Sequence, residues 1–268
     1  MGVILAVLIP VYNEERLIER AIVRLDAVPR TMAPDGTPID RRLFIVDDGS
    51  TDLTPTVLAG LAARPDVTVV HHGHNQGKGA AIRTALAAAL AWRGEAGAQA
   101  GEQADLFIIH DADLEYDPRD HEAMLDPMLD IAIEADAVIG SRFLGLSHRV
   151  LYYWHFLANR SLTTFSNICT NLNLSDIECC FKAFTRRVAE KLTIEEDRFG
   201  VEPEIVAKLA GMRVRDMNVD GTPGPARSLR IYETAVSYAG RTYAEGKKIR
   251  WHDGFSALWC ILKYNLMR

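Results

Sequence analysis

The sequence is short of cysteine, has no excess of positive charge and contains no long apolar run. Its four cysteines, Cys169, Cys179, Cys180 and Cys260, include no C-x-x-C pair. That removes the usual thiolate-zinc and dithiol-redox signatures. Cys179 and Cys180 are neighbours, a spacing unsuited to a mutual disulfide, so reduced thiols in the cytoplasm are the default expectation. Lys and Arg number 30 against 36 Asp and Glu, for a net charge of −6. This argues against binding nucleic acid or anionic lipid through bulk charge. No stretch reaches the roughly 18 uncharged apolar residues that a membrane helix needs. Residues 2–11 are apolar but short and lack a basic leader, so they read as a buried strand and not as a signal peptide. The P-loop pattern G-x-x-x-x-G-K-[ST] is missing, as is G-x-G-x-x-G after the first strand, which excludes two common nucleotide-binding designs.

What is present is an alternation of apolar runs and helical patterns. The 268 residues are 48% hydrophobic, enough for one large α/β domain. Strands are expected at Val3–Ile9, Leu43–Val46, Val67–Val70, Leu106–His110 and Ala137–Ile139. Between them lie helical patterns: one opened by Asn13 as cap with Leu17, Ile18, Ala21, Ile22 and Leu25 at helical spacing, then Thr51–Ala63, Gly77–Trp92 and Pro118–Leu129. This order indicates an open, mostly parallel sheet flanked by helices. Residues 29–42 and the small-residue stretch Glu95–Gln103 read as loops. From about residue 150 the pattern changes to an aromatic-rich helix at Leu151–Leu172, an extended Asp176–Phe184, a short helix at Pro203–Ala210, a loop at Met217–Ser228 and a strand at Ile231–Tyr238. A basic turn from Arg241 to Arg250 and an amphipathic helix at Phe255–Tyr264 close the chain.

Chemistry-bearing residues follow four of the strands. The most informative are Asp111 and Asp113, one residue apart after the apolar run Phe107–Ile109, with Glu115 two further on. Ligands bind beyond the carboxyl ends of parallel strands, and a hard divalent cation is usually held by one or two carboxylates plus substrate phosphates. Loop one offers Pro10, Tyr12, Asn13 and Glu14, and loop two Asp47, Asp48, Gly49 and Ser50. Loop three offers Gly77, Lys78 and Gly79. Taken singly each is compatible with an ordinary turn; together, in order, they can converge on one ligand. Tyr12 can stack on a base and Asp47 can accept from its N–H. Gly77-Lys78-Gly79 sets amides and an ammonium at a helix N-terminus, which suits a diphosphate. Asp113 would hold the bridging cation, and Asp111 align it.

These segments resemble the family 2 glycosyltransferases of GT-A fold: residues 8–15, 46–52, 75–81 and 111–115. Residues 140–143, 176–182, 201–204 and 236–249 are similar to the polyprenyl-phosphate (dolichyl-phosphate) sugar transferase branch. The resemblance implies a single domain over 1–268, with a nucleotide-sugar half at 1–145 and an acceptor half at 146–268. It implies Mg²⁺ or Mn²⁺ on Asp111, Asp113 and Glu115, and a UDP- or GDP-sugar contacted by Pro10, Tyr12, Glu14, Asp47, Gly77, Lys78, Asp111, Ala112 and Asp113. Arg241 and Lys247 would close over the diphosphates, and Arg142, Arg160 and Ser161 would face the lipid phosphate. Two departures stand out: Cys180-Phe181-Lys182 replaces a frequent Gly-Phe-Lys/Arg, and residues 214–228 look longer than usual. No counterpart is read for the C-terminal membrane helices of some relatives.

The implied activity is inverting transfer of a sugar from a nucleotide-diphospho-sugar to a polyprenyl phosphate, with Asp113, Asp176, Arg142 and Lys78 as catalytic candidates. A phosphate acceptor is already an anion. A hydroxyl acceptor needs a base, for which Asp176 is the candidate. The alternatives are a glycosyltransferase acting on a glycan or metabolite hydroxyl, a nucleotidyltransferase, and a binding module without turnover. The tail stripe Phe255, Leu258, Trp259, Ile261, Leu262 and Tyr264 is expected to pack on the domain or a partner. Peripheral contact with the inner face of the membrane and homo-oligomer formation are left open.

Overall fold

The computed structural model describes residues 2–94, 102–145, 148–150, 152–218, 220–242, 245 and 253–267. Most of the expected linker Glu95–Gln103 and of the basic turn, Lys247 included, lies outside them. In chain order the elements are β1 (Ile4–Val11), α1 (Ile18–Ala27), β2 (Asp40–Asp47), α2 (Thr54–Leu61), β3 (Val67–His71), α3 (Lys78–Ala91), β4 (Leu106–Ile109) and α4 (His121–Leu129). There follow β5 (Ala137–Ser141), α5 (Tyr153–Thr170), β6 (Lys182–Thr185), α6 (Arg186–Ala189) and α7 (Val201–Gly211). The last are β7 (Arg213–Met217), β8 (Pro223–Ser228), β9 (Ile231–Ala235) and α8 (Asp253–Leu266).

The described residues place seven strands in one sheet, ordered β3-β2-β1-β4-β6-β5-β9. β1, β2, β3 and β4 run parallel in register, β1 against β2 from Ile4↔Asp40 to Val11↔Asp47. β6 runs antiparallel to both β4 and β5, so the sheet is mixed, though mostly parallel as expected. β1 is central and nearly all its side chains are buried, which is why its sequence is a continuous apolar run and not an alternation. Helix α1 buries Ile18, Ala21, Ile22 and Leu25, the face its spacing indicates, and α2 takes Pro55 in its first turn, where a missing N–H costs nothing.

Three expectations are corrected. Asn13 does not cap α1, which starts at Ile18 without a side-chain cap. Asn13 adopts φ 50°, and its side-chain oxygen accepts the Thr51 amide at 2.8 Å, tying loop one to loop two. The extended stretch Asp176–Phe184 is a strand only from Lys182. Arg213–Met217 and Pro223–Ser228 pair as an antiparallel hairpin, β7–β8, where a loop was expected from Met217. Pro223 and Pro225 are tolerated because a two-stranded ribbon leaves each strand an unpaired edge.

The tail helix α8 packs on α5 and α7. Its buried residues are Ala257, Cys260, Ile261 and Tyr264, while Phe255, Leu258 and Trp259 stay exposed. The expected apolar stripe therefore divides between an inward and an outward face. All four cysteines are free thiols.

Candidate active site

Because β1, β2, β3 and β4 are parallel neighbours, the loops at their carboxyl ends meet on one side of the sheet. Loop two is tied to β3 and to loop three. Asp47 accepts the Ser50 amide and faces His71 Nδ1, both at 3.0 Å. Asp48 accepts the amides of Gln76 and Gly77 at 2.9 and 2.7 Å and faces His72 Nδ1. Gly49, at φ +66°, has no room for a β-carbon against the His74 backbone.

The Gly77-Lys78-Gly79 turn is used differently from the sequence expectation. The Gly77 amide goes to Asp48 and the Ala80 amide to the Asp197 carbonyl at 3.1 Å, so these two N–H groups are already spent within the protein. The glycines are required instead because the backbone of residues 196–197 lies directly on them. Lys78 itself is buried between two carboxylates, Asp111 and Glu202, each at 2.8 Å. Burial alone would lower the Lys78 ammonium pKa. The flanking Asp111 and Glu202 carboxylates outweigh it and hold the pKa well above the ordinary lysine value.

Burial alone would likewise raise the Asp111 carboxyl, but Lys78 and the Cys180 thiol hold it below the ordinary carboxylate range. Asp113 goes the other way, pushed up to about 7 by burial and by the neighbouring Asp111 and Glu115 carboxylates. Arg241 draws the acidic loop together: its side chain reaches Asp113 at 2.9 Å, Glu115 at 3.0 Å and Glu14 at 3.5 Å. Glu115 is fully engaged, one oxygen on the Arg241 amide and Nε and the other accepting from the Tyr238 hydroxyl at 2.7 Å. Pro10 is the penultimate residue of β1, Tyr12 is half-buried in the loop that follows and Ala112 is buried between the two aspartates.

A second cluster lies at the end of β5. Asp176 is fully buried and receives Arg142 through Nε at 2.6 Å, Nη2 at 2.8 Å and the main-chain amide at 3.2 Å. Asn159 Nδ2 and the Glu178 amide add two more donors. Burial would raise the Asp176 carboxyl, and Arg142 reverses that and holds it below its ordinary value. The Arg142 guanidinium also lies over the Tyr238 ring, 5.1 Å from its centre. Arg160 and Ser161 do not join this cluster. Both sit on the exposed face of α5, where Ser161 Oγ donates back to the Leu157 carbonyl.

The sequence reading missed Glu202, Asn159 and Tyr238. Glu202 stands within the quoted segment 201–204, and Asn159 shares one helix face with Thr163 at i+4, its side-chain oxygen accepting from the Thr163 hydroxyl; those were the available signals.

The donor set fits a hard divalent cation held chiefly by Asp113. No three His, Cys, Asp or Glu side chains among the described residues converge as a closed metal cage. Glu115 is committed to Arg241 and Tyr238, and Asp113 accepts from Arg241 Nη2 at 2.9 Å and from the Glu115 amide at 3.1 Å, so a cation there would take the place of Arg241. The crowding that raises Asp113 is what a cation there would relieve, in the manner of ions completed by substrate phosphates.

The family model for glycosyl transferase family 2 matches residues 6–193. Glycosyltransferase AglD of Haloferax volcanii is 27% identical over 83% of this chain, which spans only 34% of that protein's length. Dolichyl-phosphate beta-glucosyltransferase ALG5A of Trichomonas vaginalis is 26% identical over 82% of this chain and 66% of its own. Polyprenol monophosphomannose synthase of Mycolicibacterium smegmatis is 29% identical over 70% and 64%. Among solved structures, glucosyl-3-phosphoglycerate synthase from Mycobacterium tuberculosis, in complex with Mn²⁺, UDP and phosphoglyceric acid, superposes with a TM-score of 0.65 at 18% identity. That match covers 99% of this chain and 79% of the other, and it shows a shared GT-A-like fold. The match over residues 6–193, on a mostly parallel sheet with its acidic loop at the carboxyl edge, establishes that this chain belongs to glycosyl transferase family 2.

Proposed function

We propose that this glycosyltransferase moves a sugar from a UDP- or GDP-linked donor to a polyprenyl phosphate, with inversion and with Mg²⁺ or Mn²⁺. One observation carries the choice of acceptor. Asp176, the residue that would have to serve as base for a hydroxyl acceptor, has its oxygens occupied by Arg142, Asn159 and the Glu178 amide. A carboxylate held this way is a poor proton acceptor. A phosphate acceptor needs none.

Asp176 instead aims Arg142. Its Nε and Nη2 are locked on the carboxylate, and Nη1 has no partner among the described residues, so a phosphate oxygen is its natural ligand. Lys78 and Arg241, both now paired with carboxylates, are the cations that would take up the charge of the departing nucleoside diphosphate. A divalent ion on Asp113 supplies further charge to that leaving group. The named activities of the Trichomonas and Mycolicibacterium relatives, on dolichyl and polyprenol phosphates, agree with this acceptor class.

The surface beside Arg142 also suits a lipid substrate. Tyr152, Tyr153, Trp154, Phe156 and Leu157 at the start of α5 are exposed, as are Phe255, Leu258 and Trp259 on α8. Phe156 packs on Phe143, next to Arg142, with ring centres 5.2 Å apart. No helix among the described residues is long and apolar enough to cross a membrane, whereas Trp and Tyr on an outer face favour the bilayer–water interface. Kinetics of Arg142→Ala test the reading. The Michaelis constant for a short polyprenyl phosphate rises at least about tenfold, the loss of one charge-assisted contact, with the donor constant little changed. Equal loss for donor and acceptor would overturn the assignment.

A further inference from the structure

A cleft of about 610 Å³ opens between loop three, residues 195–198 and α8, lined by His74, Asn75, Gln76, Arg198, Ser256 and Lys263. Three acids also border it, and each has its own cation. Glu195 pairs with Lys208, Glu196 with Lys263 and Asp197 with Arg83, at 2.7, 2.7 and 2.8 Å. Arg198 is left over: it is exposed, and its guanidinium has no hydrogen-bond or ionic partner among the described residues.

The loop that presents it is firmly braced. Both Glu204 oxygens accept amides, from Glu195 at 2.7 Å and Glu196 at 2.9 Å. The Asp197 carbonyl accepts the Ala80 amide, and Tyr264 and Lys263 hold Glu196. Arg198 also leans on the Gly77 turn, where a β-carbon on Gly77 would come within 2.8 Å of its Cγ. An unpaired guanidinium carried by a braced loop beside the lysine turn, in a cleft whose acids each have their own cation, is available to an anion.

We propose that Arg198 binds a phosphate group of one of the two substrates, the donor's diphosphate or the acceptor's phosphate, and so completes the set of cations around Lys78. The proposal rests on the donor and acceptor classes given above. The full chain with Mn²⁺ is titrated calorimetrically with UDP, GDP, uridine, guanosine and a short prenyl phosphate. Arg198→Ala is expected to weaken the bound nucleoside diphosphate or the prenyl phosphate by about tenfold, with Arg198→Lys recovering part of the loss. The ligand that responds identifies the source. Affinity for the phosphate-free nucleoside and the melting temperature stay as in wild type, which a merely structural role would not produce. Unchanged affinity for both the diphosphate and the prenyl phosphate overturns the proposal while leaving the donor reading intact. A wild-type chain that binds neither UDP nor GDP would overturn the donor reading, and the proposal with it.

Discussion

Gly79 lies against the main-chain carbonyl of Glu196, so closely that a β-carbon at Gly79 would overlap the oxygen. The first turn of α3 and the loop ahead of α7 are thus one packed unit, although 117 residues separate them in sequence. Gly79→Ala must push residues 196–197 away and is expected to cost about 1–3 kcal/mol, as overpacking does. Gly60 in α2 has nothing within 4 Å of a β-carbon, and Gly60→Ala should stabilise by about 0.4–1 kcal/mol. Denaturant unfolding of the two variants checks both signs.

Asp176→Asn removes the charge that Arg142 is paired with while keeping the side chain's shape. Breaking a buried pair from one side costs about 3–5 kcal/mol, so the variant should melt well below wild type. Its residual activity should show a raised Michaelis constant for the phosphate acceptor and an unshifted pH profile, because a positioning carboxylate carries no proton in the reaction. Loss of an acidic limb from the profile would mark Asp176 as a base.

Glu115 and Asp113 are expected to separate cleanly. Asp113→Asn should abolish Mn²⁺ binding in the presence of UDP, read by electron paramagnetic resonance of the free ion. Glu115→Gln should leave that binding within about threefold of wild type, since its oxygens serve Arg241 and Tyr238. An equal loss in both variants would return Glu115 to the metal.

The Glu178 carboxyl is pushed up to about 8 by burial and by the Glu202 carboxylate. A raised carboxyl holds its proton in the folded state after the unfolded chain has lost it. Stability from this group is therefore present below the ordinary glutamate range and lost as pH rises toward 8, by up to about 1.4 kcal/mol per pH unit. Melting temperatures measured from pH 5 to 8 should fall more steeply for wild type than for Glu178→Gln.

Much of the proposed nucleotide side is legible in the sequence because it is local. Each parallel strand is an apolar run, and each is followed within a few residues by a loop of polar candidates, as with Ile109 and Asp111. What the sequence could not reveal depends on long-range pairing. The run Lys182–Thr185 reads as a strand, but nothing local says that it enters antiparallel between β4 and β5. Pro223, Gly224 and Pro225 carry loop chemistry and yet form a ribbon edge. Lys78 reads as a free phosphate ligand because its second partner, Glu202, is brought to it only by the docking of α7. Resemblance assigns Arg160 and Ser161 to the acceptor, whereas helix phase turns Asn159 and Thr163 toward Asp176 and its neighbour Ile177.

The most direct measurement is nucleotide release from a panel of UDP- and GDP-sugars with Mg²⁺ or Mn²⁺, with and without a short polyprenyl phosphate. The account requires release from one donor that depends on the lipid phosphate and yields a glycosyl phospholipid. Release that proceeds equally with a hydroxyl acceptor, and is indifferent to the lipid phosphate, would contradict it.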